Sequence, residues 1–213
     1  MIKNNLLFTE GKYILVLSLL ATAVGYFIHP IIALFGIVFI IFSLYFFRNP
    51  VRNCAQASTD DAVIVSPADG KVVDVSKGDY EGFTQKISIF LSPLDVHVNW
   101  MPMEGIIEAV TYRAGKFLLA FTPKSSELNE RNDVLITSGN KKLLVRQIAG
   151  TVARRIVCWV QPGDYGTHKD KYGMIRFGSR VDIFMPAEVT LEVKKGDRVY
   201  GGQTVVGRWH ESI

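Results

Sequence analysis

Cysteine is nearly absent. The two in 213 residues, Cys54 and Cys158, form neither a CxxC pair nor a Cys/His cluster, which excludes a disulfide framework and leaves no zinc or other metal site to expect. Both read as buried or idle thiols. An excess of one charge is also missing. A formal net charge of +4 mildly favours an anionic membrane surface and carries no nucleic-acid signature, so no DNA or RNA partner is expected. Long amphipathic helical patterns are scarce, which points the bulk of the chain toward strands. The sharpest absence is local. From Tyr13 to Phe47 there is no Asp, Glu, Lys or Arg.

One upright membrane span takes about 20 apolar residues, so this stretch is too long for one and slightly short for two. His29-Pro30 interrupts it near the middle. The expected structure for residues 1–50 is a transmembrane hairpin of two short helices turning there. Lys3 and Lys12 precede the stretch, Arg48 and Arg52 follow it, and the turn has no fixed charge. Both ends are thus expected in the cytosol, with the remaining chain on the cytoplasmic side of the cell membrane. A signal peptide cleaved near Ala21-Thr22-Ala23 competes with this reading, but it leaves the apolar segment 31–47 with no role except another anchor.

Residues 51–62 are polar and mixed, a short linker. A β-rich domain is expected over 63–213, with strand patterns at 62–65, 71–75, 86–91, 105–112, 133–137, 142–148, 181–184 and 189–193. Two segments echo each other. Val160-Gln161-Pro162-Gly163-Asp164 leads on to Gly173, and Val193-Lys194-Lys195-Gly196-Asp197 leads on to Gly207. Each reads as strand, Gly-Asp turn, strand, glycine, strand end. Such units recur in barrel-sandwich folds of the lipoyl type, so the expected fold is a compact, mainly β barrel or sandwich with few short helices.

Gly178-Ser179 lies between strand-like residues. Glycine admits close approach, and serine places a hydroxyl beside its own peptide bond. Attack of Ser179 Oγ on the Gly178 carbonyl would turn amide into ester. β-Elimination would then leave dehydroalanine, and its hydrolysis a pyruvoyl group. Alone, such a dipeptide is usually a turn. Its surroundings, Tyr172-Gly173-Met174-Ile175-Arg176-Phe177-Gly178-Ser179-Arg180-Val181-Asp182, resemble the processing site of the short, membrane-anchored phosphatidylserine decarboxylases. So, in order, do Phe46-Phe47-Arg48-Asn49-Pro50, Ser66-Pro67-Ala68-Asp69-Gly70, Leu91-Ser92-Pro93-Leu94-Asp95-Val96-His97, Asn129-Glu130-Arg131-Asn132 and Ala153-Arg154-Arg155-Ile156-Val157.

The resemblance implies a zymogen that cuts itself between Gly178 and Ser179. The fragments 1–178 and 179–213 would stay together as a heterodimer, with a pyruvoyl cofactor made from Ser179. Its carbonyl would form a Schiff base with phosphatidylserine and accept the electrons released with carbon dioxide, giving phosphatidylethanolamine. His97, near neutral in pKa, is the candidate proton donor. Asp69 matches the acid that assists self-cleavage, although by itself it reads as a turn carboxylate. Trp100 stands where longer relatives carry a second histidine, which leaves the base for cleavage open. Asp95 is a weaker candidate, and His168 and His210 read as surface residues. Arg154 and Arg155, with Arg113, Lys116, Lys141 and Lys142, could hold phosphate and carboxylate groups. Two rivals stay open: a membrane-tethered lipoyl-like adaptor or carrier without activity, and a decarboxylase of another serine-headed lipid.

Overall fold

A computed structural model describes residues 10–80, 82–115, 129–150, 156–176 and 179–210. The chain divides into two compact units, Met1–Val51 and Arg52–Ile213.

The first unit holds α1 (Lys12–Ile28) and α2 (Pro30–Phe46). His29 leaves helical geometry between them. Its Nδ1 accepts the Ile31 N–H at 3.2 Å, and Pro30 opens α2, a residue whose missing N–H costs nothing there. Apolar side chains surround both helices, with Leu17, Phe27, Leu34 and Phe35 all exposed. The hydroxyls of Ser18, Thr22 and Ser43 are satisfied internally, each donating to the carbonyl four residues back. Gly25 and Gly36 let the helices close on each other, since a Cβ on Gly25 would lie 2.7 Å from the Ile32 carbonyl carbon and one on Gly36 2.7 Å from Thr22 N. The break at His29-Pro30 therefore separates two helices, as expected. Each has 17 residues, a rise of about 25 Å against a hydrocarbon core of about 30 Å. No helix among the described residues is long and apolar enough to cross a membrane.

The second unit is mainly β. Its strands are β1 (Val63–Val65), β2 (Gly70–Tyr80), β3 (Phe83–Leu91), β4 (Val98–Trp100), β5 (Gly105–Arg113), β6 (Arg131–Ser138), β7 (Lys141–Ile148), β8 (Ile156–Cys158), β9 (Tyr165–Gly166), β10 (Lys171–Ile175), β11 (Ser179–Met185), β12 (Val189–Leu191), β13 (Arg198–Val199) and β14 (Val205–Trp209). They form two three-stranded sheets, β1-β14-β12 and β4-β10-β8, and one of eight strands, β13-β2-β3-β11-β7-β6-β5-β9. All of these sheets are open, so the expectation of a mainly β domain holds while none of them closes on itself as a barrel among the described residues.

The Gly-Asp echo belongs to a duplication of the whole domain. β4 to β10 form one copy. β1 to β3 and β11 to β14 form the other, interrupted by the first. Exchanging the copies converts one three-stranded sheet into the other and reverses the eight-stranded order onto itself. Registers agree residue by residue. Lys71 pairs with Phe90 and Ile106 with Thr137, and a bulge follows Val72 in one copy and Ile107 in the other. Gly196 N–H donates to the Val72 carbonyl, whose own N–H donates to Asp197 O; Gly163, Ile107 and Asp164 repeat the arrangement. Even the crossing between copies is reciprocal, with Val65 N–H on Pro102 O and Trp100 N–H on Pro67 O. The pseudo-two-fold axis passes through the Ile183–Val145 pair, where β11 meets β7.

Alternation sends Val181, Ile183, Val145, Ile87, Ile89, Val134 and Ile136 to one face, where all are fully buried. Each such side chain stabilises the fold by about 1.5–3 kcal/mol. Residues 52–62 are fastened to the same unit: Cys54 packs on Val63 and Val65, Arg208 bonds Asp60, and Lys141 bonds Asp61.

Candidate active site

Ser179 opens β11, a strand buried along its full length. It pairs with Leu91 of β3, and its own face continues through Val181 and Ile183 into the apolar core. The opposite face buries charge. Arg180 donates to Asp182 at 2.6 and 3.1 Å and to Ser88 Oγ at 2.7 Å. Such a pair fixes register, because either member left alone would be an uncompensated buried charge. Ser179 Oγ is fully buried and has no hydrogen-bond partner among the described residues. Leaving a hydroxyl unmet there costs about 1–3 kcal/mol. Gly178, Arg154, Arg155 and Lys116 lie outside the described residues.

His97 is fully buried. Its Nδ1 lies 2.9 Å from the Asp95 carbonyl, and since a carbonyl only accepts, Nδ1 carries the hydrogen in the neutral ring and Nε2 is the basic nitrogen. Its own carbonyl accepts the Ile175 N–H, which pins the chain four residues ahead of Ser179. Asp95 holds this corner together: its carboxylate accepts from Arg198 and, at 2.7 Å, from Ser92 N–H.

Asp69 is buried and already engaged. Arg52 grips both of its oxygens, and Gly201 N–H donates to one at 2.8 Å. The Arg52 guanidinium lies 4.8 Å from the Trp100 ring, Lys171 stands over the same ring, and Gly201 and Gly202 pack on it. Burial and Arg52 push the Lys171 ammonium down from its ordinary pKa. Where a second histidine was missed in the sequence, the structure thus has a cation–π stack built on Asp69. No hydrogen bond among the described residues joins Asp69 or His97 to Ser179 Oγ.

A set of buried amides shares the end of the core where Ser179 sits. Asn132 Nδ2 donates to Gln147 Oε1 at 3.1 Å, and Gln147 Nε2 donates to Asn99 Oδ1 at 2.8 Å. Cys158 fixes the direction: its thiol donates to the Val160 carbonyl, so its sulfur can only accept from Asn132. Burial pushes that thiol's pKa up. Gly173 makes room, since a Cβ there would lie 2.8 Å from Gln147 Nε2. Sequence reading gave the Asn129–Asn132 segment no role beyond a polar loop and passed over Asn99 and Gln147. The available signal was a polar residue at an inward position of an otherwise apolar strand.

Arg113 stands at the same end of the large sheet as Ser179, in the row Arg113, Arg131, Ile148, Arg180. Lys141 and Lys142 lie at the opposite end of β7 and pair with Asp61 and Glu108. His210 is exposed as expected, but His168 is not: it is buried, with Nε2 3.2 Å from Ser58 Oγ. Residues 52–62 fold back over it, which composition could not reveal. Burial holds its pKa below the usual range.

A family model described as "Phosphatidylserine decarboxylase" matches residues 39–207. A protein of Carboxydothermus hydrogenoformans named phosphatidylserine decarboxylase proenzyme is 45% identical over 207 residues, 95% of this chain and 96% of the relative. Proteins of the same name from Salinibacter ruber and Chlorobium chlorochromatii are 48% and 44% identical, covering 78% and 82% of this chain and 75% and 82% of theirs.

Proposed function

This chain belongs to the phosphatidylserine decarboxylase family, and we infer from that membership that it is a proenzyme which cuts itself and then converts phosphatidylserine to phosphatidylethanolamine and carbon dioxide. The cut falls between Gly178 and Ser179. The observation that carries this reading is the fully buried Ser179 hydroxyl with no partner among the described residues, at the head of a strand held on both edges. Oγ adds to the Gly178 carbonyl carbon, the C–N bond breaks, and an ester replaces the amide.

The cofactor of this reading is a pyruvoyl group at position 179, and the residues present fit it. Its formation removes a hydroxyl that has no hydrogen-bond partner among the described residues, while Arg180, bonded to Asp182 and Ser88, keeps the following residue in place. When present the group supplies an electron sink that ordinary side chains lack. The protein's part is to bind, orient and move protons. His97, with Nδ1 held by the Asp95 carbonyl, has Nε2 to take up a proton and pass it to the carbon that loses its carboxylate. Asp69 secures Arg52 and the 200–202 turn beside Trp100. Arg154 and Arg155 are proposed contacts for the phosphate and carboxylate of the lipid.

The 179–213 fragment stays bound after the cut. β11 lies between β3 and β7, β14 between β1 and β12, and β13 along β2. The apolar hairpin seats the enzyme on an anionic membrane with the β domain on the cytoplasmic side. Helices with no polar face support a seat in lipid, which vesicle flotation with and without residues 1–50 tests.

Denaturing mass spectrometry with a lipid turnover assay tests the function. Wild-type chain gives two fragments, the shorter with a blocked amino terminus, and Ser179→Ala stays at 23.8 kDa without decarboxylating. Turnover by Ser179→Ala would overturn the reading.

A further inference from the structure

Two unmet polar groups lie at the same end of the core. One is Ser179 Oγ, an acceptor. The other is Asn99 Nδ2, a donor on a fully buried residue with no hydrogen-bond partner among the described residues. Gln147 links them in space. It pairs with Val181 across β7 and β11, so its side chain shares a face with Ser179, two residues along, and diagonal neighbours of this kind are about 7–8 Å apart. Gln147 in turn holds Asn99 Oδ1 at 2.8 Å, which commits that oxygen and leaves the Asn99 amide hydrogens as the open end of the relay.

The fold does not require these amides. Under the internal exchange of copies, Asn99 corresponds to Ile64, Gln147 to Met185 and Asn132 to Gln85. The other end of the core fills two of the three places with aliphatic side chains, and there Gln85 is satisfied by the Pro186 and Val189 carbonyls at 2.8 Å each. Buried amides are costly unless bonded, so a relay ending in an unbonded donor calls for a use.

We propose that Asn99 is a catalytic residue of self-cleavage, donating an Nδ2 hydrogen to Ser179 Oγ while that oxygen departs in the β-elimination. In this step a general base takes the Cα proton of residue 179, the Cα=Cβ bond forms and the Cβ–Oγ bond breaks. The electron pair leaves on Oγ, which becomes one oxygen of the Gly178 carboxylate. A donor preset where charge develops lowers that barrier. Gln147 and Asn132 are positioning residues that orient the Asn99 amide. The proposal rests on the self-cleavage reading above.

The test uses the full chain of wild type, Asn99→Asp and Gln147→Met, followed by intact mass from pH 6 to 9, with thermal melting to verify folding. Asn99→Asp keeps the acceptor for Gln147 but removes the N–H. It should cleave about 100-fold more slowly at neutral pH, the scale expected for a lost oxyanion donor. Its cleavage relative to wild type should recover at low pH, where the carboxyl carries a proton to donate. Hydroxylamine, which cuts esters, should split the stalled chain at 178/179 into a fragment beginning with serine. Cleavage at the wild-type rate over the whole range, or a folded chain that hydroxylamine leaves whole, would overturn the proposal. Should Asn99→Asp fail to fold, Gln147→Met must show the same hydroxylamine-sensitive stall, and cleavage at the wild-type rate there would overturn it as well. A wild-type chain that stays uncut would instead remove the self-cleavage reading.

Discussion

The two copies close the same strand pair in different ways. In one, β6 runs into β7 through a tight turn at Gly139 and Asn140, and Ser138 pairs with Lys141. In the other, Leu91 pairs with Ser179 in the equivalent place, but residues 92–178 intervene. Ser179, where the proposed cut falls, thus stands where the other copy leaves its hairpin turn. A turn is surface, with charged residues such as Lys141 and Lys142 around it; Ser179 is fully buried, with the Gln147 amide on the same face. One backbone solution serves two environments, and the difference lies in which side chains have been committed to the interior.

The largest contrast should be in buried charge. Arg180 corresponds to Lys142, whose side chain is 54% exposed. Arg180→Met takes a charge partner from the buried Asp182 and should lower stability by about 3–5 kcal/mol, whereas Lys142→Met should change it by less than about 1 kcal/mol. Urea melts of the two variants measure the gap, and equal losses would break the correspondence. Next comes a reciprocal swap. Met185→Gln buries an amide in the apolar end and should cost about 1–3 kcal/mol while self-cleavage, followed by mass, keeps its wild-type rate. The turns sharpen the comparison from the side of likeness. Gly163 and Gly196 have φ of 92° and 102° with open space where a Cβ would go, so alanine at either position meets backbone strain alone, about 1–3 kcal/mol, and the two losses should match in melting experiments.

The smallest effect concerns His168, whose folded pKa lies below 6.5 because burial disfavours the charged ring. A depressed histidine pKa means the unfolded chain binds the proton more readily, so stability is complete above 6.5 and declines as pH falls below it. His168→Gln should flatten that decline in melting temperature between pH 7 and 5. An unchanged slope would show that the ring is not the titrating group.

Much of this was legible in the sequence where a residue acts locally. The Gly-Asp turns could be read because each glycine has positive φ and each aspartate carboxylate accepts the N–H three residues back, Asp164 from Gln161 and Asp197 from Lys194, both at 2.9 Å. His29-Pro30 was readable for the same reason, and the motif is what marks Ser179 as the candidate. The full duplication was not, because one copy splits around the other and few identities survive between them, among them Pro67 and Pro102, Gly70 and Gly105, Gly173 and Gly207. The amide relay escaped because Asn99, Asn132 and Gln147 come from three strands, and only tertiary pairing makes neighbours of them. Arg52 escaped by seeming to belong to a linker.

The strand that starts at Ser179 has a partner along each edge, and this has a consequence for the life of the molecule. The proposed scission there would alter covalent connectivity and leave the strand pairing intact, so a matured molecule and its precursor would differ by a bond and one chemical group rather than by shape. Such a conversion would happen once per chain. The population of active molecules would then be a record of how many chains have completed it.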